Sequence, residues 1–250
     1  PGRARELCEP ALCTAALARE LSDLARRGRP DDVRARALYS GGHSEDAILS
    51  TVADALRERR ARFDVLVDLG CGRGDCARRL DGLYDEYLGC DVVSYEAFPH
   101  SRAVRFRETD LNHAPYPLDG ASASAVVSVE TIEHVENPRL LMREMARIAR
   151  PGGCIVVTTP NQLSLASKLH LVVKNEFLAF KEAPGLYPAH ITALVEKDLS
   201  RIARECGLVD IQFRYTDRGR IPLTAASWPS WLGARGRRFS DNIVMVATRP

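Results

Sequence analysis

Val65-Leu-Val-Asp-Leu-Gly-Cys-Gly-Arg-Gly-Asp75 is the stretch on which the reading of this chain turns. It opens as an apolar, β-branched run, Val65 to Val67, too short for a helix and flanked like a buried strand. Glycines at 70, 72 and 74 break the run, and a helical pattern resumes at Cys76-Ala-Arg-Arg-Leu80. Strand, glycine loop and helix form the opening unit of a nucleotide-binding α/β sheet. Without Cβ atoms the backbone turns tightly, and a phosphate or carboxylate can lie against it near a helix N-terminus.

Gly72-Arg-Gly74-Asp-Cys-Ala77 can be laid onto the dinucleotide fingerprint G-x-G-x-x-G/A, with Asp91 near the expected acidic position. The longer string Asp68-x-Gly70-x-Gly72-x-Gly74 reads differently, because it sets a carboxylate at the strand end. An acid there repels a pyrophosphate but accepts a hydrogen bond from an ammonium group. A glycine turn with no ligand is the bland alternative. On these residues the chain resembles the class I S-adenosylmethionine (SAM) dependent methyltransferases, whose first motif is an acid followed by this glycine spacing. The resemblance implies a doubly wound, seven-stranded α/β sheet of Rossmann-like type with SAM along its C-terminal strand edge. Asp68, Gly70, Cys71, Gly72 and Gly74 would then serve the methionine part, with Asp68 on the ammonium side. Cys71 and Cys90 otherwise read as small apolar packing groups.

Taken in order, the 250 residues suffice for one large α/β domain. We read residues 1–60 as an N-terminal helical cap and 61–250 as the main domain. A formal net charge of +2 gives no electrostatic case for nucleic acid. Seven scattered cysteines without a C-x-x-C pair fit reduced thiols, and a cytoplasmic location is expected. No apolar run approaches membrane-spanning length. Pro1 stands where Met would, so a processed or artificially cut start is expected. Leu7, Leu12, Leu17, Leu21 and Leu24 predict one helix, stopped by Gly28-Arg-Pro30, and Ser44 to Leu56 predicts a second. Tyr39 and His43 between them are lid contacts over the cofactor by resemblance, or only part of a helix connection.

Tyr87-Leu-Gly-Cys-Asp91 reads as a second strand ending in a carboxylate that can accept bonds from two vicinal ribose hydroxyls. Val104 to Asn112 reads as a third strand. The resemblance makes Asp91 and the adjacent Val92 ribose-side contacts, and Asp110 and Leu111 adenine contacts. A turn cap is the plain alternative for Asp110. Ala125–Val129 is the expected fourth strand, a helix follows from Arg139 to Arg150, and Cys154–Thr159 is the fifth strand.

Between the fourth strand and that helix stands Glu130-x-x-Glu133-His134. If the segment turns helically, offsets of three and four set the three side chains on one face. Two carboxylates and an imidazole can hold a divalent ion such as Mg²⁺. The string is similar to that of two metal-dependent subfamilies, the ubiquinone-biosynthesis O-methyltransferases and the small-RNA 2′-O-methyltransferases. In the latter a downstream His joins the metal, which implies His190 here. Glu130, Glu133, His134 and His190 are thus the candidate metal ligands, with Glu130 also near the cofactor. Without a metal, His134 or His190 is the base candidate, and Glu133, His134 and His190 are the catalytic set in either case. The chain departs from the RNA enzymes in lacking their longer His- and aromatic-rich run around His190, and from the ubiquinone enzymes in the segment after the fifth strand.

Residues 162–190 form an insertion whose apolar content suits a substrate lid, or a homodimer surface. It holds three of the four lysines, Lys168, Lys174 and Lys181; His170 reads as a packed residue. Glu196 to Cys206 is the last expected helix, stopped by Gly207. Val209–Tyr215 and Asn242–Ala247 are the last strands, joined by a long connection carrying Trp228, Trp231, Arg235, Arg237 and Arg238. That connection could stack on a base, or wall a small-molecule pocket. The expected activity is SAM-dependent O-methylation of a small hydroxylated acceptor (sugar, catechol or polyketide-like). Metal-free N-, C- or O-methylation and RNA 2′-O-methylation are the alternatives.

Overall fold

The apolar run at Val65 extends two residues each way, so that β1 spans Phe63–Leu69 in the computed structural model, which describes residues 30–181, 189–222, 224 and 226–250. The other strands are β2 (Tyr84–Asp91), β3 (Val104–Glu108), β4 (Ala123–Ser128), β5 (Ala149–Pro160), β6 (Val209–Tyr215) and β7 (Asn242–Thr248). Their order is β3-β2-β1-β4-β5-β7-β6. The first five run parallel, and β7 lies antiparallel between β5 and β6. The sheet is the seven-stranded Rossmann-like one expected. Its order reverses between β1 and β4, which opens a crevice beyond their C-terminal ends.

Both faces of this sheet are buried, and side chains alternate between them. Leu66, Val127, Val156 and Val246 point into one apolar layer; Val67, Val126, Ile155 and Met245 point into the other. The helices are α1 (Pro30–Ser40), α2 (Asp46–Arg59), α3 (Asp75–Arg79), α4 (Pro138–Ile148), α5 (Leu165–Lys174) and α6 (Glu196–Glu205). Ile48, Val52 and Leu56 of α2 close the first layer, so this helix is built into the sheet's face. Leu141, Met145 and Ile148 of α4, with Leu199 and Ile202 of α6, close the second. Each such side chain contributes roughly 1.5–3 kcal/mol by leaving water. Asn137 starts α4 by accepting the Leu140 N–H at 3.1 Å, with Pro138 at the first helical position. Gly207, at φ +75°, terminates α6 as its position suggests.

Three local expectations need correction. The third strand stops at Glu108, because Asp110 folds the chain into a turn by accepting the Asn112 N–H. The fourth helix ends at Ile148, and Arg150–Gly153 is a bulge within β5, with Gly152 at φ +72°. The segment from Glu130 to Glu136 is a series of turns, not a helix, because Glu130 itself is left-handed (φ +49°). The leucine run from Leu7 to Leu24 lies outside the described residues. Among the described residues no helix is long and apolar enough to cross a membrane.

Candidate active site

At the C-terminal end of β1, Asp68 is buried to 1% exposure. The Tyr87 hydroxyl donates to its Oδ2, while its Oδ1 has no hydrogen-bond partner. Burial pushes this carboxyl up to about 7. An orphaned oxygen of this kind is costly unless a donor arrives, and a cationic donor suits it best. The loop beyond it is shaped by close backbone approaches. Gly70 has φ +86°, and a Cβ there would fall 2.2 Å from Thr131 Oγ1. Gly72 has φ +49°, and its Cβ would fall 2.4 Å from the Gly42 carbonyl. That carbonyl accepts the Arg73 N–H at 2.9 Å, so the α1–α2 connection sits on the glycine loop.

Asp91, at the end of β2, is aimed by backbone: Gly72 N–H donates to Oδ2 (2.9 Å) and Val93 N–H to Oδ1 (3.2 Å). Burial raises its pKa against those two bonds. Asp110 accepts from Asn112 and pairs with His113 Nδ1 at 2.9 Å, while Leu111 is buried beside it. Asp110 is the turn cap, and it also lines the cavity described below. His43 Nδ1 lies 2.5 Å from Asp75 Oδ2, which ties the α1–α2 connection to the start of α3. Of Tyr39 only the helical backbone is described.

Beyond β4 the sequence string divides. Glu130 N–H donates to Thr158 Oγ1 (2.8 Å), whose hydroxyl donates back to Oε1 (2.8 Å), and Asn242 Nδ2 donates to Oε2 (2.7 Å). Its left-handed backbone turns it toward β5 and β7, and burial pushes its carboxyl up to about 7. Glu133, His134 and His190 come together without it: one ligand atom from each lies within 4.8 Å of the others. Glu133 is wholly buried, and neither carboxylate oxygen has a hydrogen-bond partner. Burial first, and the Glu130 charge second, hold its pKa well above the carboxylate range.

Two main-chain carbonyls orient the imidazoles. His134 Nδ1 lies 2.9 Å from the Ala189 carbonyl and His190 Nδ1 lies 2.8 Å from the Ala179 carbonyl. A carbonyl only accepts, so each ring carries its proton on Nδ1 and keeps the Nε2 lone pair. His190 Nε2 is 4.0 Å from Glu133 Oε1, and the ring centroids are 4.7 Å apart. Burial lowers the His134 pKa to about 4, with His190 adding to the shift, and burial lowers that of His190 too. Both rings are neutral at pH 7. Sequence spacing did not reveal these carbonyls, nor Thr158 and Asn242, because they come from distant segments and carry no motif.

One cavity of about 590 Å³ joins both halves. Asp68, Gly72, Asp91 and Asp110 line it, and so do His134 and His190. Cys71 and Val92 lie on its wall, with the Cys71 thiol held neutral by burial. Leu178 and Ala179, from the insertion after β5, line it too.

A family model described as a methyltransferase domain matches residues 36–212. The chain is 36% identical over 126 residues to a "Probable S-adenosylmethionine-dependent methyltransferase" of Mycolicibacterium smegmatis, covering 46% of this chain and 45% of that protein. It is 26% identical over 156 residues to the ubiquinone biosynthesis O-methyltransferase of Cupriavidus pinatubonensis, covering 60% and 61%. The chain spans about half the length of the first two curated relatives it matches, 45% and 54%. A Thermotoga maritima structure titled "SAM-dependent methyltransferase, possible histamine N-methyltransferase" superposes with TM-score 0.58 at 17% identity, over 86% of this chain and 90% of that one. A SAM dependent methyltransferase from Archaeoglobus fulgidus superposes with TM-score 0.55 at 17% identity, over 80% and 94%. At that identity the structures speak for the fold alone.

Proposed function

The chain belongs to the methyltransferase-domain family, and from that premise we propose a SAM-dependent methyltransferase that methylates an oxygen of a small hydroxylated acceptor, with a divalent cation held by Glu133, His134 and His190. SAM, when bound, supplies a sulfonium methyl group. The chain's share of that binding would be the Asp68 carboxylate for the ammonium, the glycine loop beneath the methionine part, Asp91 for the ribose, and Asp110 with Leu111 for the adenine. Two observations support the fit: the orphaned Asp68 Oδ1, and a loop in which any Cβ at Gly70 or Gly72 would collide.

The cation reading rests on one observation, the buried Glu133 carboxylate whose oxygens have no hydrogen-bond partner among the described residues and which lies within 4.8 Å of ligand atoms of His134 and His190. Left as an acid in a dry pocket, such a group only destabilises the fold. Facing the His190 Nε2 at 4.0 Å, with a ligand atom of His134 within 4.8 Å, it completes a ligand set whose rings are oriented through Nδ1. Tetrahedral ligands around zinc stand about 3.3 Å apart, so the 4.0 Å between His190 Nε2 and Glu133 Oε1 asks for a modest contraction. Without Glu130 the set is two nitrogens and one oxygen, which favours Zn²⁺ or a similar transition ion over Mg²⁺. Its chemistry would be to hold an acceptor hydroxyl and lower its pKa. The protein's own work is positioning the acceptor oxygen in line with the methyl group and excluding water.

Calorimetric titration of Mn²⁺, Zn²⁺ and Mg²⁺ into the complex with S-adenosylhomocysteine tests this. One site for Mn²⁺ or Zn²⁺, weakened at least tenfold by His190→Ala, is expected. Binding of the nucleoside product but of no ion would leave the neutral imidazoles as base candidates, and the acceptor search would reopen to amines and carbon acids.

A further inference from the structure

Beside the main cavity lies a second of about 310 Å³, and Leu178, Lys181 and Arg220 line both. Among the described residues its titratable lining is His170, Lys181 and Arg220, three nitrogen groups and no carboxylate. The main cavity differs in being lined by carboxylates as well, Asp68, Asp91 and Asp110 among them. Lys181 makes no hydrogen bond or ion pair among the described residues. Arg220 is fixed in place: Asp241 Oδ2 accepts its Nε at 3.0 Å and Asp241 Oδ1 accepts its backbone N–H at 3.2 Å. That contact offsets part of the charge but leaves both terminal nitrogens of the guanidinium for another ligand. His170 donates Nδ1–H to the Glu176 carbonyl at 3.0 Å and keeps Nε2.

These groups come from two segments outside the seven-stranded frame, the insertion after β5 and the β6–β7 connection. Such segments distinguish one acceptor from another on a shared scaffold. A planar guanidinium held by its Nε presents a fork suited to a two-oxygen acid, and an ammonium with no partner among the described residues adds a point charge. We propose that the side cavity seats an acidic group of the acceptor, a phosphate or a carboxylate, between Lys181 and Arg220, while the reacting oxygen lies at His134 and His190. The inference rests on the methyltransferase reading for what the acid is attached to, but not for the anion site itself. The substrate class becomes an anionic hydroxylated metabolite.

The test is calorimetry on the S-adenosylhomocysteine complex in EDTA, with no cation added, using inorganic phosphate and benzoate as probes. Wild type is expected to bind one of them with an affinity of about 1 mM or tighter. Lys181→Met and Arg220→Met should each weaken it at least tenfold, Arg220→Lys should restore part of the loss, and exposed Lys168→Met should change nothing. Preference for phosphate marks a phosphomonoester, and preference for benzoate a carboxylic acid. No binding of either probe up to about 10 mM, or binding that Lys181→Met leaves unchanged, overturns the proposal. Thermal melts of the variants guard against misfolding, with Lys181→Met the decisive one because that side chain makes no hydrogen bond or ion pair among the described residues. Mn²⁺ titration of Lys181→Met should match wild type, so a failed anion site and a failed cation site give different results.

Discussion

Replacing Glu133 by Gln removes a charge while keeping the shape of the side chain, and its consequences differ between a cation-free and a cation-loaded protein. Glu133 is fully buried, with neither oxygen bonded, and burial with the nearby Glu130 raises its pKa well above the usual range. In the unfolded chain a glutamate ionises near about pH 4.3, so folding at pH 7 must take up a proton, at a cost of at most about 3.7 kcal/mol. The sign follows: stability is whole below the unfolded value and is lost as pH rises toward the folded one. The Gln amide keeps the shape and the neutral charge of the protonated acid, so the ionisation cost is the main difference between the two proteins. In urea unfolding at pH 7 with EDTA, Glu133→Gln should therefore be more stable than wild type, by no more than that cost, with the gap closing near about pH 4.5. A cation at about 100 times its Kd should then stabilise wild type by about 2.7 kcal/mol and leave Glu133→Gln unmoved. If Glu133→Gln is less stable than wild type in EDTA, and Mn²⁺ shifts both alike, the reasoning fails.

Three further outcomes follow from the same geometry. Asp91→Ala loses the acceptor that Gly72 and Val93 N–H share, and S-adenosylhomocysteine affinity should fall about 10- to 100-fold by calorimetry; affinity within twofold of wild type would remove Asp91 from the cofactor site. Gly72→Ala sets a Cβ 2.4 Å from the Gly42 carbonyl at φ +49°, and a loss of about 1–3 kcal/mol in thermal or urea unfolding is expected; an unchanged melt would mean that the α1–α2 connection is not seated on the loop. His134, lowered to about 4 by burial, takes its proton first in the unfolded chain, so stability should be lost as pH falls from about 6.5 toward about 4. His134→Phe should flatten that acid limb in urea titrations, and an identical limb in the variant would count against a buried neutral imidazole.

The frame was legible because its signals are local. A β-branched run broken by three glycines has few other solutions, and the strand-end acids Asp68 and Asp91 fall where the parallel strands β1 and β2 carry them. Glu133, His134 and His190 were also named from sequence, and the fold brings them together. The fourth member, Glu130, was expected on the assumption that Glu130–His134 coils as a helix. A single left-handed residue breaks that assumption, because the Thr158 hydroxyl and Asn242 amide hold Glu130 from β5 and β7. Periodicity carries no information about such a bond. The carbonyls of Ala179 and Ala189, which fix the imidazole tautomers, were invisible for the same reason: any residue type could supply them. The side cavity depends on Lys181 and Arg220, 39 positions apart in the chain, which only the packing of the insertion against the β6–β7 connection brings together.

The central claim is that one divalent cation belongs between Glu133, His134 and His190, next to the SAM site. Anomalous diffraction from crystals grown with Mn²⁺ or Zn²⁺ and S-adenosylhomocysteine tests it most directly. A single strong peak is expected about 2.0–2.3 Å from a Glu133 oxygen and from Nε2 of His134 and His190, absent in Glu133→Gln crystals. Density for the nucleoside product with no peak at those three side chains would contradict it.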